Sequence, residues 1–191
     1  MTFFSTNEIS RKKCQLGLLS LQPSISSLEE IDSILKDLSM EYKNITPIVI
    51  SVSNPYNISS ENLILRKDFI EKYITEKGFS NIICFIYEQR IIVLIYNDEK
   101  PNIKSALKSL INATMEKFNC KPYCSIGSTA ENVHEIRKSY ENALQALSYT
   151  LYDSSTYIFE AKEEMVPLEN LEIYYYKNKN LTATAIKDLD K

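Results

Sequence analysis

One stretch of the chain, residues 81–98, constrains the fold more than any other. It reads NIICFIYEQRIIVLIYND and contains two apolar runs, residues 82–87 and residues 91–96, separated only by Glu88, Gln89 and Arg90. Two β-prone runs with a short polar break are typical of a β-hairpin. Because both runs are apolar at nearly every position, where a half-exposed strand would alternate, we predict a hairpin at the centre of a sheet with at least one well-covered face.

Composition limits the class of protein that this chain belongs to. With 191 residues, 44% of them hydrophobic and 25% charged, the chain fits one globular domain with some additional helix. The formal net charge is -3 and the basic residues are dispersed among acidic ones, which argues against nucleic-acid binding by this segment itself. No apolar run approaches the roughly 20 residues that span a bilayer, and the first residues lack the pattern of a signal peptide. We therefore expect a cytoplasmic protein without membrane contact.

The four cysteines, Cys14, Cys84, Cys120 and Cys124, carry little sign of chemistry. Cys84 falls inside a predicted core strand, where a free thiol acts as a small apolar group. The spacing of Cys120 and Cys124 would suit zinc, but the only histidine, His134, falls in the first turn of a predicted helix and no second close pair exists. We expect reduced thiols, no metal, and a surface position for His134.

The rest of the chain alternates between helical and strand patterns. The predicted elements are helices over residues 6–21 and 27–42 (the second from a capping box at Ser27), a strand over 46–53, a helix over 61–77, the hairpin, a helix over 101–118 with Pro101 in its first turn, a strand over 123–128, a helix over 132–152 from a capping box at Asn132, and a strand over 156–160. Hairpins mixed with single helical crossovers predict an α+β fold whose helices cover the faces of the sheet.

This order of elements divides the chain into three regions. Residues 1–45 form an N-terminal helical arm or linker, whose helices either cover the sheet or connect it to a neighbouring domain or a second subunit. Residues 46–165 form the sheet domain. Residues 166–191 begin a linker that stops without a cap or core, so we predict a fragment of a longer protein. Tyr174, Tyr175 and Tyr176 either form the buried start of a helix or, as we favour, contact the part of the protein beyond residue 191.

Four segments carry a family resemblance: residues 91–95 (IIVLI), 124–128 (CSIGS), 139–149 (SYENALQALSY) and 156–159 (TYIF). Together with the element order, they resemble the palm-like domain of GGDEF diguanylate cyclases. More closely, they resemble the degenerate GGDEF-like middle domain of AraC-type, YesN-like bacterial regulators. The resemblance covers roughly residues 46–165. It implies a ferredoxin-like, mostly antiparallel sheet covered by helices, with the N-terminal helices as an addition.

Active members of the cyclase family have a Gly-Gly-acid-acid signature in the hairpin turn and another metal-binding carboxylate at the end of the first strand. Two magnesium ions held there neutralise the triphosphate and activate the attacking hydroxyl. In this chain the turn offers Glu88, Gln89 and Arg90, and the strand end offers Ser53 and Asn54. One acid cannot hold two divalent metals, so we expect no cyclase activity, no catalytic residues, no metal and no cofactor.

The resemblance implies a regulatory role. We expect a non-catalytic, signal-transmitting and dimerising domain of an AraC-type transcription regulator, part of a response regulator in a two-component system. Such a domain is normally followed by a helix-turn-helix module, which is not visible in these residues, so contact with DNA would be made only through that module. The sheet domain would relay dimer geometry from the helices entering at residues 6–43 to those leaving after residue 165.

Two other functions remain open from the sequence. The first is a small-ligand receptor, for a nucleotide or metabolite, that keeps a pocket at Ser53, Asn54 and the turn, where Arg90 would pair with an anionic ligand. An exposed arginine without a ligand is the simpler interpretation of Arg90. The second, with less support, is a residual nucleotide cyclase.

Overall fold

A computed structural model describes residues 6–22, 25–52, 59–97, 102–151 and 155–161. Among them it contains helices α1 (Thr6–Leu21), α2 (Ile25–Leu38), α3 (Ser60–Glu76), α4 (Ile103–Phe118) and α5 (Val133–Ser148), and strands β1 (Thr46–Val52), β2 (Ile82–Tyr87), β3 (Arg90–Ile95), β4 (Pro122–Ile126) and β5 (Ile158–Glu160). The predictions at Ser53, Asn54, Pro101 and residues 166–191, with their three tyrosines, lie outside the described residues. The α+β class is confirmed.

The five strands form one sheet in the order β2-β3-β1-β4-β5. All neighbours are antiparallel except β4 and β5, which run parallel. The hairpin is present, but its predicted position at the centre is wrong, because β1 is the central strand and β2 is at the edge. The apolar character of β2 has another cause: α1 packs on one of its faces and α3 on the other.

Helices cover both faces of the sheet, and the alternation of side chains along the strands divides the core in two. On β3, Ile92 and Leu94 face α1, α2 and α5. Their neighbours Ile91, Val93 and Ile95 face α3 and α4. Both sets are buried, which is why the strand shows no polar alternation in the sequence.

The two N-terminal helices contribute to the core, so the first of their two predicted roles, covering the sheet, is confirmed. Leu16 and Leu21 of α1 are fully buried against the sheet. Gly17 lies so close to β2 that a Cβ atom there would be 2.5 Å from the ring of Phe85. Helix α2 begins at Ile25, so the predicted capping box at Ser27 is wrong, and that residue lies inside the first turn. The boundaries at residues 46 and 165 remain predictions.

The N-cap predicted at Asn132 of α5 is confirmed, whereas the reciprocal bond of the capping box is shifted by one residue to Glu131. The side chain of Asn132 accepts a hydrogen bond from the backbone N–H of His134 at 3.0 Å, and the carboxylate of Glu135 accepts one from the backbone N–H of Glu131 at 2.9 Å. His134 is exposed in the first turn, as predicted. These contacts satisfy donors at the helix terminus that have no partner within the helix.

The junction between β4 and α5 explains the small residues in these two segments. The backbone of α5 approaches closely at Gly127. A Cβ atom at this position would lie 2.5 Å from the carbonyl oxygen of Ser139 and 2.8 Å from Cγ of Pro47. The hydroxyl of Ser139 donates a hydrogen bond to the carbonyl of Ser128. Glycine and serine therefore fit α5 tightly against the end of β4.

The cysteines occupy the environments expected of packing residues. Cys84 and Cys124 are buried in the face covered by α3 and α4, as predicted for Cys84. Burial raises the pKa of the Cys124 thiol to about 12 and that of the Cys84 thiol further still, so both remain protonated and unreactive near neutral pH. The Cys120 sulfur accepts a contact from the Arg66 guanidinium at 3.7 Å.

Among the residues that the structure describes, there is neither a membrane-spanning helix nor a cluster of metal-binding side chains. None of their helices combines the length and apolar character needed to cross a membrane. They also contain no cluster of three or more histidine, cysteine, aspartate or glutamate side chains placed to hold a metal ion.

Candidate functional site at the hairpin turn

The hairpin turn and the C-terminal end of β1 lie at the same end of the sheet. Pairing of Ile50 with Ile91 brings the last residues of β1 beside the first residues of β3. Glu88 and Gln89 form the turn, and Arg90 is already part of β3, where it pairs with Tyr87. The structure therefore brings these turn residues next to the strand end that precedes Ser53 and Asn54, although those two residues lie outside its described range.

The turn has two residues, one fewer than the polar break in the sequence contains. Glu88 has a φ of 48° and Gln89 a φ of 59°, both in the left-handed region. Two successive positive φ values define a type I′ turn, which favours asparagine and glycine and matches the twist of the strands. Here two residues with long side chains occupy it, so the backbone is strained at a point where a glycine would be relaxed.

We expect glycine at position 89 to raise the free energy of unfolding by about 1 kcal/mol, because it removes the steric cost of a left-handed residue at some cost in chain entropy. Urea unfolding of Gln89→Gly measures the change. The control is Gln89→Ala, which removes the same side chain but keeps Cβ and should stay within about 0.5 kcal/mol of the natural chain. Equal stability of the two variants would show that the backbone at Gln89 carries no strain.

The charged groups of the turn pair with one another. The Arg90 guanidinium lies 3.6 Å from the Glu88 carboxylate and donates a hydrogen bond to the Glu88 carbonyl at 3.4 Å. Arg90 is the side chain that the sequence offered for an anionic ligand, and Glu88 is the only acid of the turn. Since the pair is partly exposed, it contributes well under 1 kcal/mol and a ligand could displace it.

Two tyrosines that the sequence did not assign to the site lie beneath the turn. Tyr87 accepts a hydrogen bond from the side chain of Gln22 at 2.7 Å, and its ring meets that of Tyr140 edge to face at 5.9 Å. Tyr140 is 4% exposed, and its hydroxyl has no hydrogen-bond partner among the described residues. Burial, with the negative charge of Glu88, raises the pKa of Tyr140 to about 12, so it remains neutral. In the sequence, Tyr140 stands out only as part of the apolar face of α5 and of the segment 139–149 that carries the family resemblance.

One arginine of α5 connects the helices on this side of the sheet. Arg137 donates a hydrogen bond to the carbonyl of Leu21, the last residue of α1, at 2.8 Å. Its Nε also donates to the Glu141 carboxylate at 2.6 Å, and that partner raises the pKa of the Arg137 guanidinium. The cation thus caps the free carbonyl end of α1, where positive charge is favourable. Arg137 thus joins the end of α1 to α5.

The described residues at the turn can be compared with what a two-metal cyclase site needs. A two-metal site needs several carboxylates close together to neutralise the cations and the triphosphate. Among the described residues at this end of the sheet, the turn supplies one carboxylate, Glu88, and it is paired with Arg90. Side chains at Glu88 and Gln89 also occupy the positions where glycines would let a nucleotide approach the backbone.

Comparison with known proteins agrees with this geometry. A family model described as a GGDEF-like domain matches residues 48–149, more than half of the chain. A regulator of polyketide synthase expression from Bifidobacterium adolescentis is similar in structure, with a TM-score of 0.51 at 10% identity over 75% of this chain and 54% of that chain. The active GGEEF domain of a diguanylate cyclase from Vibrio cholerae gives a TM-score of 0.47 at 14% identity, over 70% of this chain and 90% of that one.

The first of these likenesses is one of fold alone at such low identity, and the chain spans about half the length of that solved regulator. No curated protein matches the sequence. The family match covers β1 from its third residue, α3, the hairpin, α4, β4 and all of α5. The chain belongs to the GGDEF-like domain family.

Proposed function

We propose that this chain is a non-catalytic regulatory domain of a bacterial AraC-type transcription regulator, acting in the cytoplasm as a homodimer within a two-component system. Its DNA-binding helix-turn-helix module would lie outside these residues. The observation that carries the proposal is the hairpin turn, where a single carboxylate is paired with an arginine in place of a two-metal site. The family match and the similar fold of a solved regulator are compatible with a regulatory role.

The packing of the helices suggests how such a domain would relay a signal. Helix α1, at the N-terminal side, and helix α5 lie on the same face of the sheet and are joined by the hydrogen bond from Arg137 to Leu21. A change in the geometry of the entering helices would shift α5 and the segment after it. In a dimer, this shift would change the distance between two DNA-binding modules. That distance determines which half-site spacing on DNA the dimer can bind.

The absence of catalysis is directly testable. Incubation of the purified chain with GTP and magnesium, or with GTP and manganese, should yield no cyclic dinucleotide by chromatography, because one carboxylate cannot position two metals. An active diguanylate cyclase under the same conditions is the positive control. Product that disappears in the Glu88→Gln variant would contradict the proposal and support the residual cyclase instead.

Dimerisation can be tested by measuring the molar mass of the chain in solution. Light scattering of the chain over a range of concentrations should show a rise from one to two chain masses, as expected for a reversible dimer. A single chain mass at high concentration would remove dimerisation from the proposal. The reading frame beyond Lys191 tests the rest, since a helix-turn-helix pair is expected there and its absence would contradict assignment to an AraC-type regulator.

Recognition of a small ligand is the second candidate function. At the turn, its support is the exposed pair of Arg90 and Glu88, which an anion could open. A thermal-shift screen with nucleotides and sugar metabolites would show stabilisation lost in Arg90→Ala if the ligand binds there. Stabilisation that survives this substitution would place the ligand elsewhere.

A further inference from the structure

A cavity of about 390 Å³ lies away from the hairpin turn, between α4 and β5. It is lined from α4 by Lys108, Ile111 and Asn112, from the connection to β4 by Lys121, and around the start of β5 by Thr156, Tyr157 and Ile158. Its size is in the range of pockets that hold small organic molecules.

The described lining of this cavity carries two positive charges, Lys108 and Lys121, and no negative one. Lys108 and Lys121 form no ion pair with any described residue, and no carboxylate is part of the described lining. The nearby acid of β5, Glu160, is already paired with Lys104 at 2.7 Å. Two ammonium groups beside one cavity attract an anion, because their positive charges add at its surface.

The walls of the cavity are suited to a flat apolar group. Tyr157 stacks on Tyr123 with ring centroids 5.3 Å apart and planes at 13°, which holds the ring of Tyr157 in place. The Lys121 ammonium lies 5.1 Å from the centroid of the same ring, so that cation is fixed beside the aromatic wall. Ile111 and Ile158 add apolar surface. A preorganised aromatic and aliphatic wall next to fixed positive charge is the usual form of a site for an organic anion.

We propose that this cavity binds a small aromatic anion, a ring that carries a phosphate or carboxylate group. Lys108 and Lys121 hold the anionic group, the Asn112 amide donates a further hydrogen bond, and the ring contacts Tyr157 and the two isoleucines. The site is distinct from the hairpin turn, because its residues come from α4, the following loop and β5, which is at the opposite end of the sheet order from β2.

The position of the cavity gives the ligand a structural effect. β5 has three residues and pairs with β4 alone among the described strands. A ligand that bridges α4 and β5 would therefore fix a strand that lies beyond the matched region and precedes residues 162–191. This consequence for signalling rests on the proposed regulatory function, whereas binding itself does not.

The test is calorimetric titration of the full 191-residue chain with phenyl phosphate. Lys108→Gln and Lys121→Gln should each raise the dissociation constant about tenfold, since each removes one charged hydrogen bond to the anion. The control is Lys72→Gln, an exposed lysine of α3, which should leave the constant unchanged. Phenol retains only the ring of the probe and inorganic phosphate only its anionic group, so both should bind more weakly than phenyl phosphate.

Three results would overturn the proposal: no binding of phenyl phosphate, equal weakening by Lys72→Gln, or binding of inorganic phosphate as tight as that of the aromatic probe. A further variant, Asn112→Trp, fills the cavity without altering its charge and should abolish binding, with circular dichroism to show that the chain still folds. Neither the GTP assay nor the dimer mass depends on these outcomes, so failure here is distinguishable from failure of the proposed regulatory role.

Discussion

Replacement of Gly127 by alanine is expected to lower the free energy of unfolding by about 3 kcal/mol, the upper part of the range for overpacking a rigid site. A methyl group there would lie 2.5 Å from the backbone carbonyl of Ser139 and 2.8 Å from Pro47. Neither obstacle is the end of a flexible side chain, so α5 has to move away from β4 to admit it. Urea unfolding of the variant measures the loss.

Gly78 provides the matched control for this prediction. It comes after α3 with a φ of 96°, and no heavy atom lies within 4 Å of the position where its Cβ would be. Gly78→Ala therefore tests conformational strain without a clash and should cost about 1 kcal/mol. If Gly127→Ala is no more destabilising than Gly78→Ala, the contact between β4 and α5 is looser than the distances indicate.

Truncation of Leu16 to alanine is expected to lower the free energy of unfolding by about 3 kcal/mol, the usual cost of a cavity left by a buried leucine. Leu16 is fully buried between α1 and the sheet, in the same cluster as Phe85 and Ile92. The result tests whether α1 belongs to the folded unit. Thermal or urea unfolding followed by circular dichroism gives the value.

Leu18 is the control, since it is the same residue type two positions along the same helix but is 41% exposed. Leu18→Ala should change the stability by less than about 1 kcal/mol, because alanine is the better helix former and little apolar contact is lost. Small effects of both substitutions would mean that α1 is a detached arm in solution, the second of the roles that the sequence allowed for it.

The individual elements were predictable because their signals are local. The spacing of apolar residues in α5, its capping box and the two apolar runs of the hairpin each depend on a few neighbouring residues. The order of the strands was not predictable from the sequence. Because α1 and α3 bury both faces of β2, this edge strand has the same apolar run as a central strand would have. The start of α2 was misplaced because Ser27 matches a cap pattern inside a helix that begins at Ile25.

The candidate site was predictable only at the level of residue types. The absence of a second acid at the turn is visible in the sequence, and so is the lack of glycine. The two-residue turn was not visible in the sequence. Its positive φ values occur at Glu88 and Gln89, whereas asparagine and glycine usually occupy such turns. The cavity beside β5 was also missed, since its lysines belong to different elements and only the fold brings Lys108 and Lys121 together.

The packing of α1 on the edge strand β2 has a consequence for how copies of this chain associate. An unpaired strand edge is a template for addition of a foreign strand. Here α1 and α3 pack on the two faces of β2, and the carbonyl of Cys84 accepts a contact from the Cys14 thiol of α1 at 3.8 Å. A strand added beside Cys84 would have to displace that thiol, so α1 hinders growth of the sheet on this side. Weakening the packing of α1, as Leu16→Ala does, should therefore make the chain more prone to aggregate through β2.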